Sequence, residues 1–216
     1  IEKPISNSSI ETSNLLKLAK KNSTKILVGH HRRHNNIIKS AKKALEIGSI
    51  GKIRSVFSIC WFYKPDKYFN KAPWRKKIGA GPISINLVHD IDLLRYFCGE
   101  VKNVQATTSP SSRGYENEDI ASIILNFDTG VIANMSVSDS IVSPWSWEMN
   151  SKENSEFPYT KQNCYIIGGS KGLKRSRSSI IEQPLLTSGI LCEILDSNAL
   201  NCSITLPVLP SSSKKL

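Results

Sequence analysis

The 216-residue chain contains no apolar run long enough to span a membrane, and no secretory signal is recognisable in it. Its cysteines, at positions 60, 98, 164, 192 and 202, form no C-x-x-C pair. These absences argue against a disulfide framework and a structural zinc site, and they favour a reducing, cytoplasmic setting. No G-x-G-x-x-G sequence occurs either, so the common glycine-rich turn that binds a dinucleotide pyrophosphate is missing.

Acidic residues are scarce in the first third of the chain. Residues 1–78 contain 18 Lys and Arg but 4 Asp and Glu, whereas residues 79–216 contain 11 and 14. Such a basic segment is compatible with nucleic acid, with an anionic ligand or with a solvated lysine-rich surface. Because the lysines are spread over helix faces and no nucleic-acid motif is present, we favour the solvated surface and expect no nucleic-acid partner.

The hydrophobic pattern predicts helices first and strands afterwards. Ser8 and Glu11 form a capping-box pattern for a helix to about Lys21, and Thr24–Gly29 predicts a short buried strand. Helices are also predicted at 36–47 and after the glycine turn at 79–81, and residues 64–78 are predicted to form a loop. Strands are predicted at 53–63, 102–108, 120–127, 131–138 and 165–167, with a hairpin turn at 128–130. This order predicts an α+β fold: an open, mainly antiparallel sheet with helices on one face.

The most informative segment is the glycine-rich turn that leads into the helix of His89 and Asp92. These residues are three positions apart, so their side chains share one helix face. Histidine changes its protonation near neutral pH, which suits general acid/base catalysis. By itself, however, the segment favours a buried histidine held by its neighbours.

Several motifs follow one another in a fixed order, and together they favour a functional interpretation. They are Glu2-Lys3-Pro4, Gly29-His-His-Arg-Arg-His34, Trp74-Arg75, the glycine turn with His89, and Cys164–Gly172. This set resembles the Gfo/Idh/MocA family of NAD(P)-dependent oxidoreductases over about residues 1–173. The resemblance implies hydride transfer between NAD or NADP and a hydroxyl or carbonyl group of a sugar, polyol or cyclic polyol.

The resemblance also implies a domain organisation. Residues 1–33 would contain the last helix and strand of a Rossmann nucleotide-binding domain. Residues 34–209 would form a substrate and oligomerisation domain, and residues 210–216 a polar tail. The exposed face of its sheet implies a homo-oligomer.

Residue roles follow from the same resemblance. It implies catalytic roles for Lys3 and His89, cofactor contacts for Glu2, Lys3, Pro4 and Arg33, and substrate contacts for Trp74, Arg75, Asn86 and Asp92. A surface lysine, a structural ion pair and a packed loop anchor are the alternatives for Lys3, Arg33 and the Trp74-Arg75 pair. His30, His31 and His34 suggest a metal cluster, but a strand would point adjacent ones apart, so we expect no metal. Trp145 and Trp147 are predicted to share one strand face and to serve packing.

Two features depart from the family pattern. The family carries its dinucleotide fingerprint upstream of the Glu-Lys-Pro motif, so this chain is expected to lack most of that domain and not to bind a dinucleotide tightly. The inositol-dehydrogenase-like pattern has an aspartate four residues before the catalytic histidine, where this chain has Ile85. Asp92 could orient His89 or belong to a local charge network, and we favour the network. The alternative to an enzyme is a non-catalytic fragment or degenerate copy acting as an interaction domain.

Overall fold

The structure is a computed structural model that describes residues 1–6 and 8–175, so the segments 176–209 and 210–216 of the predicted organisation lie outside the described residues. Its helices are α1 (Ser9–Lys21), α2 (Asn36–Glu46), α3 (Asp66–Asn70), α4 (Val88–Cys98) and α5 (Trp147–Asn150). Its strands are β1 (Ile53–Trp61), β2 (Val101–Pro110), β3 (Glu118–Phe127), β4 (Ile132–Ser138), β5 (Tyr165–Gly169) and β6 (Gly172–Arg175). Within this part of the chain, no helix is both long and apolar enough to cross a bilayer.

The six strands form one sheet in the order β2-β3-β4-β1-β5-β6. All neighbours are antiparallel except β1 and β4, which are parallel. The β3–β4 hairpin turns where the sequence predicted it, with Gly130 at a φ of 81°, a conformation that glycine adopts without steric cost. The predicted α+β fold with a mainly antiparallel open sheet is therefore confirmed.

The two faces of the sheet differ because side chains alternate along each strand. On β3, Ala121, Ile123 and Leu125 are buried, whereas Ser122 and Ile124 between them are exposed. The buried face forms the hydrophobic core with the α4 region, which contributes Leu87, Leu93, Leu94 and Phe97. Cys60 and Cys98, which stand in apolar stretches of the sequence, are buried free thiols of this core. The helix that carries His89 is thus fixed against the sheet by its apolar side.

The segment Thr24–Gly29 is not the regular buried strand that the sequence predicts. It is extended, and its neighbour is the first residue of the chain: the Ile1 amino group donates to the Leu27 carbonyl (2.8 Å), and the Gly29 N–H donates to the Ile1 carbonyl (2.9 Å). Leu27 is 77% exposed. A buried strand needs neighbours on both sides, and within the described residues this segment pairs only with Ile1.

Two further predictions are wrong in local detail. The predicted loop 64–78 contains α3 and a 3-10 turn at Pro73–Lys76, each beginning at or next to a proline, whose fixed φ suits the first turn of a helix. Trp145 and Trp147 do not share a strand. The Ser146 side chain accepts from the Met149 N–H and caps α5, so Trp147 begins a helix. Trp145 packs on Trp61 with ring centroids 5.6 Å apart, whereas Trp147 is buried near Tyr165.

The close approach of Gly169 to the backbone of Ile50 generates a stability prediction. A methyl group on Gly169 would overlap the Ile50 carbonyl, which accepts a hydrogen bond from the Lys171 N–H at 2.9 Å. Because backbone must move to make room, Gly169→Ala should lower the free energy of unfolding by about 1–3 kcal/mol. Urea titration measures this change. Gly172→Ala is the matched control, since a methyl group there has no neighbour within 4 Å, and equal stability of the two variants would contradict the prediction.

Candidate functional site

Lys3 and His89 lie at one site although 86 positions separate them in the chain. The hydrogen bonds of Ile1 hold the first residues beside the 27–29 segment, and Lys3 then reaches the start of α4. Its Nζ donates to the carbonyl oxygen of Ile85 at 2.5 Å. The Lys3 charge also contributes to lowering the pKa of His89. The lysine singled out by sequence is therefore hydrogen-bonded about one helical turn before the histidine and acts on it electrostatically.

A π-helical turn at Ile83–Leu87 forms the entry to α4. In this turn the Val88 N–H donates to the Ile83 carbonyl five residues back, and such turns are frequent at functional sites. The turn starts where Gly81 permits close approach: a side chain there would overlap the carboxylate of Glu118, which accepts from the Ile83 N–H at 3.3 Å. At the position of the family's aspartate, Lys3 thus meets a backbone carbonyl, that of Ile85, in place of a carboxylate.

His89 is buried among positive charges and other imidazoles. It is 8% exposed, and the rings of His31 and His30 lie edge-on at centroid distances of 4.9 and 6.2 Å. Its Nδ1 atom is buried without a hydrogen-bond partner in the described part of the chain. Burial first, and then the charges of Arg32 and Lys3, lower the pKa of His89 to about 3. The imidazole is therefore neutral at physiological pH, as a general base must be.

Asp92 faces the His31–His34 turn through Arg33. The Arg33 Nε and Nη2 atoms donate to the two carboxylate oxygens at 2.6 and 2.5 Å, a bidentate pair, and His30 Nδ1 lies 3.8 Å from the same carboxylate. The hydrogen bond to Asp92 is the main cause that raises the pKa of Arg33. Asp92 thus belongs to a charge network, and Arg33 is already engaged by a protein carboxylate.

A buried ionic network lies directly behind His89. Arg32 is 2% exposed; its Nη1 donates to the Tyr165 hydroxyl and lies 3.1 Å from Asp90 Oδ1, and its Nη2 donates to Glu148 Oε1 at 2.9 Å. The Tyr165 hydroxyl in turn donates to Asp90. Burial raises the pKa of Asp90 and of Tyr165. Burial by itself would lower the pKa of Arg32, but Asp90, Tyr165 and Glu148 have the opposite effect and raise it overall.

The other predicted site residues differ in burial and in their contacts. Asn86 is buried in the π turn, whereas Glu2 and Pro4 are exposed beside Lys3. Trp74 is 56% exposed, and Arg75 stacks on Tyr68, 3.8 Å from the ring centroid. Within residues 1–6 and 8–175, no hydrogen bond, ion pair or ring contact joins Trp74 or Arg75 to His89. No group of three or more His, Cys, Asp or Glu side chains in that part of the chain could hold a metal ion.

Sequence reasoning missed four residues of this site: Arg32, Asp90, Glu148 and Tyr165. Arg32 and Asp90 stand next to the predicted Arg33 and His89, and this adjacency is the sequence signal that could have found them. Glu148 and Tyr165 meet Arg32 through contacts spanning 116 and 133 positions, and although Tyr165 lies within the Cys164–Gly172 motif, that motif does not indicate its partner.

The chain is similar in sequence profile and in fold to known proteins. The sequence profile of the GFO/IDH/MocA C-terminal domain matches residues 38–173. No curated protein sequence matches the chain. Among solved structures, an oxidoreductase from Agrobacterium radiobacter in complex with NAD+, L-tartaric acid and magnesium is similar, with 21% identity and a TM-score of 0.66 over 81% of this chain and 47% of the other.

Two other solved structures are similar to the same extent. The WlbA dehydrogenase from Bordetella pertussis, in complex with NADH and UDP-GlcNAcA, has 24% identity and a TM-score of 0.67 over 81% of this chain and 46% of its own. An oxidoreductase from Thermotoga maritima has 24% identity and a TM-score of 0.66 over 81% and 49%. These likenesses show the fold, and this chain spans about half the length of each of these structures.

The low pKa of His89 predicts an acid-sensitive step in stability. Because the folded chain resists protonating His89 until about pH 3, the unfolded chain binds one more proton between about pH 6.5 and 3. Stability is therefore lost as pH falls through this window, by up to about 1.4 kcal/mol per pH unit. His89→Gln should flatten urea-derived stability in this range, whereas His34→Gln, at an exposed site, should not. An unchanged slope for His89→Gln would contradict this placement of the imidazole.

Proposed function

The chain belongs to the GFO/IDH/MocA family, and from that premise we propose that it supplies the substrate-facing half of an NAD(P)-dependent oxidoreductase. The proposed reaction transfers a hydride between the nicotinamide and a carbon that bears a hydroxyl or carbonyl group on a sugar, polyol or cyclic polyol. The observation that carries the proposal is the hydrogen bond of Lys3 to Ile85 in the π turn, about one turn before the buried, neutral imidazole of His89. A cation and a neutral imidazole are the two groups that a hydroxyl needs as it loses its proton.

The residues at this site fit a bound nicotinamide, and the group itself would supply hydride acceptance or donation. Lys3 is half-buried with one visible hydrogen bond, and an ammonium group has three donors, so donors remain for a ligand oxygen. We assign cofactor contacts to Glu2, Lys3 and Pro4. Arg33 contributes less than the sequence suggests, because its guanidinium is bidentate on Asp92.

The proton chemistry follows from the charges around the two residues. Lys3 would bind the substrate oxygen and stabilise the negative charge that develops on it, and His89 would take the hydroxyl proton. Burial, followed by the charges of Arg32 and Lys3, holds the pKa of His89 at about 3 in the free chain. A developing alkoxide adds an opposite charge beside the imidazole and raises this pKa, so the basicity of His89 increases when it is required.

The same proposal assigns the N-terminal residues to the edge of the nucleotide-binding half. We keep residues 1–33 as the edge of a nucleotide-binding half and the residues that follow as the substrate-facing half. In α1 no residue is buried, and its apolar side chains Ile10, Leu16 and Leu18 are between 51 and 74% exposed. Under the proposal, these side chains and Leu27 form the surface that the nucleotide-binding half covers.

Cofactor binding tests the proposal. NADH and NADPH are titrated calorimetrically into the 216-residue chain and into a version extended upstream where the gene supplies one. Binding by either version supports the proposal, and binding by the extended version alone would show that the upstream residues complete the cofactor site. Absence of binding by both would contradict it.

The role of His89 is tested in whichever version turns over substrate. His89→Gln should lower kcat by about a hundredfold to ten-thousandfold, because it removes the proton acceptor, while the Kd for NADH stays unchanged. His34→Gln is the control, since His34 is exposed. A His89→Gln variant that keeps the wild-type kcat would exclude the histidine as general base.

A second candidate function, an interaction domain, is favoured by the open face of the sheet. Ile124, Asn134, Phe57 and Ile166 are paired in register across β3, β4, β1 and β5, and none is charged. Three of them are apolar and between 38 and 44% exposed. In a chain with a formal net charge of +11, an uncharged apolar strip fits a protein contact. We propose that a second copy of this chain covers it.

Self-association through this strip is measurable by sedimentation equilibrium. The wild-type chain should be dimeric or larger at micromolar concentration, and Ile124→Lys should shift it to monomer because a lysine would be buried unpaired at the contact. Ile78→Lys, at a residue 82% exposed and outside the sheet, is the control with the same charge change. A monomeric wild-type chain, or dimers of unchanged affinity in Ile124→Lys, would rule out this interface.

A further inference from the structure

We propose that Lys64 and Arg75 form an anion-binding subsite around the ring of Tyr68, so that the substrate is a sugar or polyol carrying a carboxylate or phosphate group. This inference rests on the proposed function and extends it to a substrate class. It depends on two cations that converge on one ring and lack a carboxylate partner.

Both cations lie over aromatic rings at the end of β1. Lys64 Nζ is 3.7 Å from the ring centroid of Phe62 and 5.0 Å from that of Tyr68. Arg75 Cζ is 3.8 Å from the same Tyr68 ring, and its Nη1 donates to the Tyr68 carbonyl at 2.8 Å. The Lys64 backbone N–H donates to the Asp139 carbonyl, which anchors its position beyond the strand. The two positive side chains are therefore held on one fixed aromatic platform.

Neither cation is neutralised within residues 1–6 and 8–175. No ion pair joins Lys64 or Arg75 to a carboxylate there, and Arg75 Nε is buried without a hydrogen-bond partner. Two carboxylates act on Lys64 electrostatically, but Glu148 is bound by Arg32 at 2.9 Å and Asp139 by Arg113 at 2.7 Å. Both side chains are only partly exposed and contact aromatic rings rather than carboxylates, so a bound anion would give them the charged partner that they lack in the described residues.

The pKa of Lys64 is consistent with this excess of positive charge. Burial is the main cause that lowers its pKa to about 8, and Arg75 lowers it further, while Glu148 and Asp139 act in the opposite direction. An anion placed between Lys64 and Arg75 would favour the charged form of the lysine. Anion binding at this subsite is therefore coupled to protonation of Lys64.

The subsite lies within electrostatic reach of the proposed catalytic residues. Glu148 acts to raise the pKa of both Lys3 and Lys64. Glu148 also binds Arg32, which pairs with Asp90 next to His89. Under the proposal, a substrate with its hydroxyl at Lys3 and His89 extends an anionic group towards Lys64 and Arg75.

Binding of three probes to the 216-residue chain tests the proposal without turnover. D-Glucuronate, D-glucose 6-phosphate and D-glucose are titrated calorimetrically, so a carboxylate, a phosphate and a neutral sugar are compared. At least one anionic sugar should bind about tenfold or more tightly than glucose, as expected for a hydrogen bond to a charged group. Which of the two binds tightly identifies the anion. Equal affinity for all three, or binding of neither anionic sugar, overturns the subsite.

Variants of Lys64 separate recognition from folding. Lys64→Gln should weaken binding of the preferred anionic sugar about tenfold and leave glucose unchanged. Lys67→Gln removes the same charge from an exposed lysine of α3 and should have no effect. Lys64→Arg keeps a permanent charge and should retain affinity. If Lys64→Gln and Lys67→Gln weaken binding equally, the effect is general surface charge and the subsite is refuted.

The pH profile adds a readout that a structural role would not produce. The affinity of the wild-type chain for the anionic sugar should fall as pH rises above about 8, because free Lys64 loses its proton there. Lys64→Arg should remove this fall, and a wild-type affinity that is flat through pH 8 would contradict the assignment. These measurements need no nicotinamide. Failure of cofactor binding alone would therefore refute the proposed oxidoreductase and leave the subsite standing.

Discussion

The candidate site depends on the ion pairs and hydrogen bond made by the buried guanidinium group of Arg32. It pairs with Asp90 on α4 and Glu148 on α5, and it donates to Tyr165 on β5, so it joins the turn after residue 30 to three separate elements. An ion network this deeply buried gains little net stability from its own attraction, but losing the arginine would leave two carboxylates uncompensated. Its structural effect is to fix α4, and with it His89, relative to the first residues of the chain.

The same arginine shapes the chemistry of the neighbouring histidine. After burial, the Arg32 charge is the largest cause of the low pKa of His89, ahead of Lys3. The network that positions the imidazole therefore also keeps it unprotonated. Asp92, which sequence spacing places on the same helix face, cannot reverse this effect because Arg33 holds both of its carboxylate oxygens. The sequence left open whether Asp92 orients His89 or belongs to a charge network, and the bidentate contact with Arg33 from another element is the network that was favoured.

Elements set by local pattern were predictable, and features set by distant partners were not. The period-two alternation of β3 and β4 and the turn at Gly130 were sufficient to predict that hairpin, and Ser8 and Lys21 bounded α1 within a residue. The segment 24–29 has the composition of a buried strand, but burial depends on neighbours that local sequence does not specify. At the candidate site, motif order singles out Lys3 and His89, whereas the contacts of Glu148 and Tyr165 with Arg32 are not indicated by any local spacing.

The charge distribution illustrates why composition alone gave an incomplete answer. The excess of Lys and Arg in residues 1–78 suggested a solvated basic surface, and exposed lysines such as Lys39 and Lys43 on α2 fit that interpretation. Arg32 and Arg33 do not, because carboxylates from the later, acidic part of the chain neutralise them. Lys64 and Arg75 fit neither group: they are withdrawn from solvent and have no carboxylate of their own in the described residues. These two partly buried cations, which contact aromatic rings and no carboxylate, are the observation on which the proposed anion subsite rests.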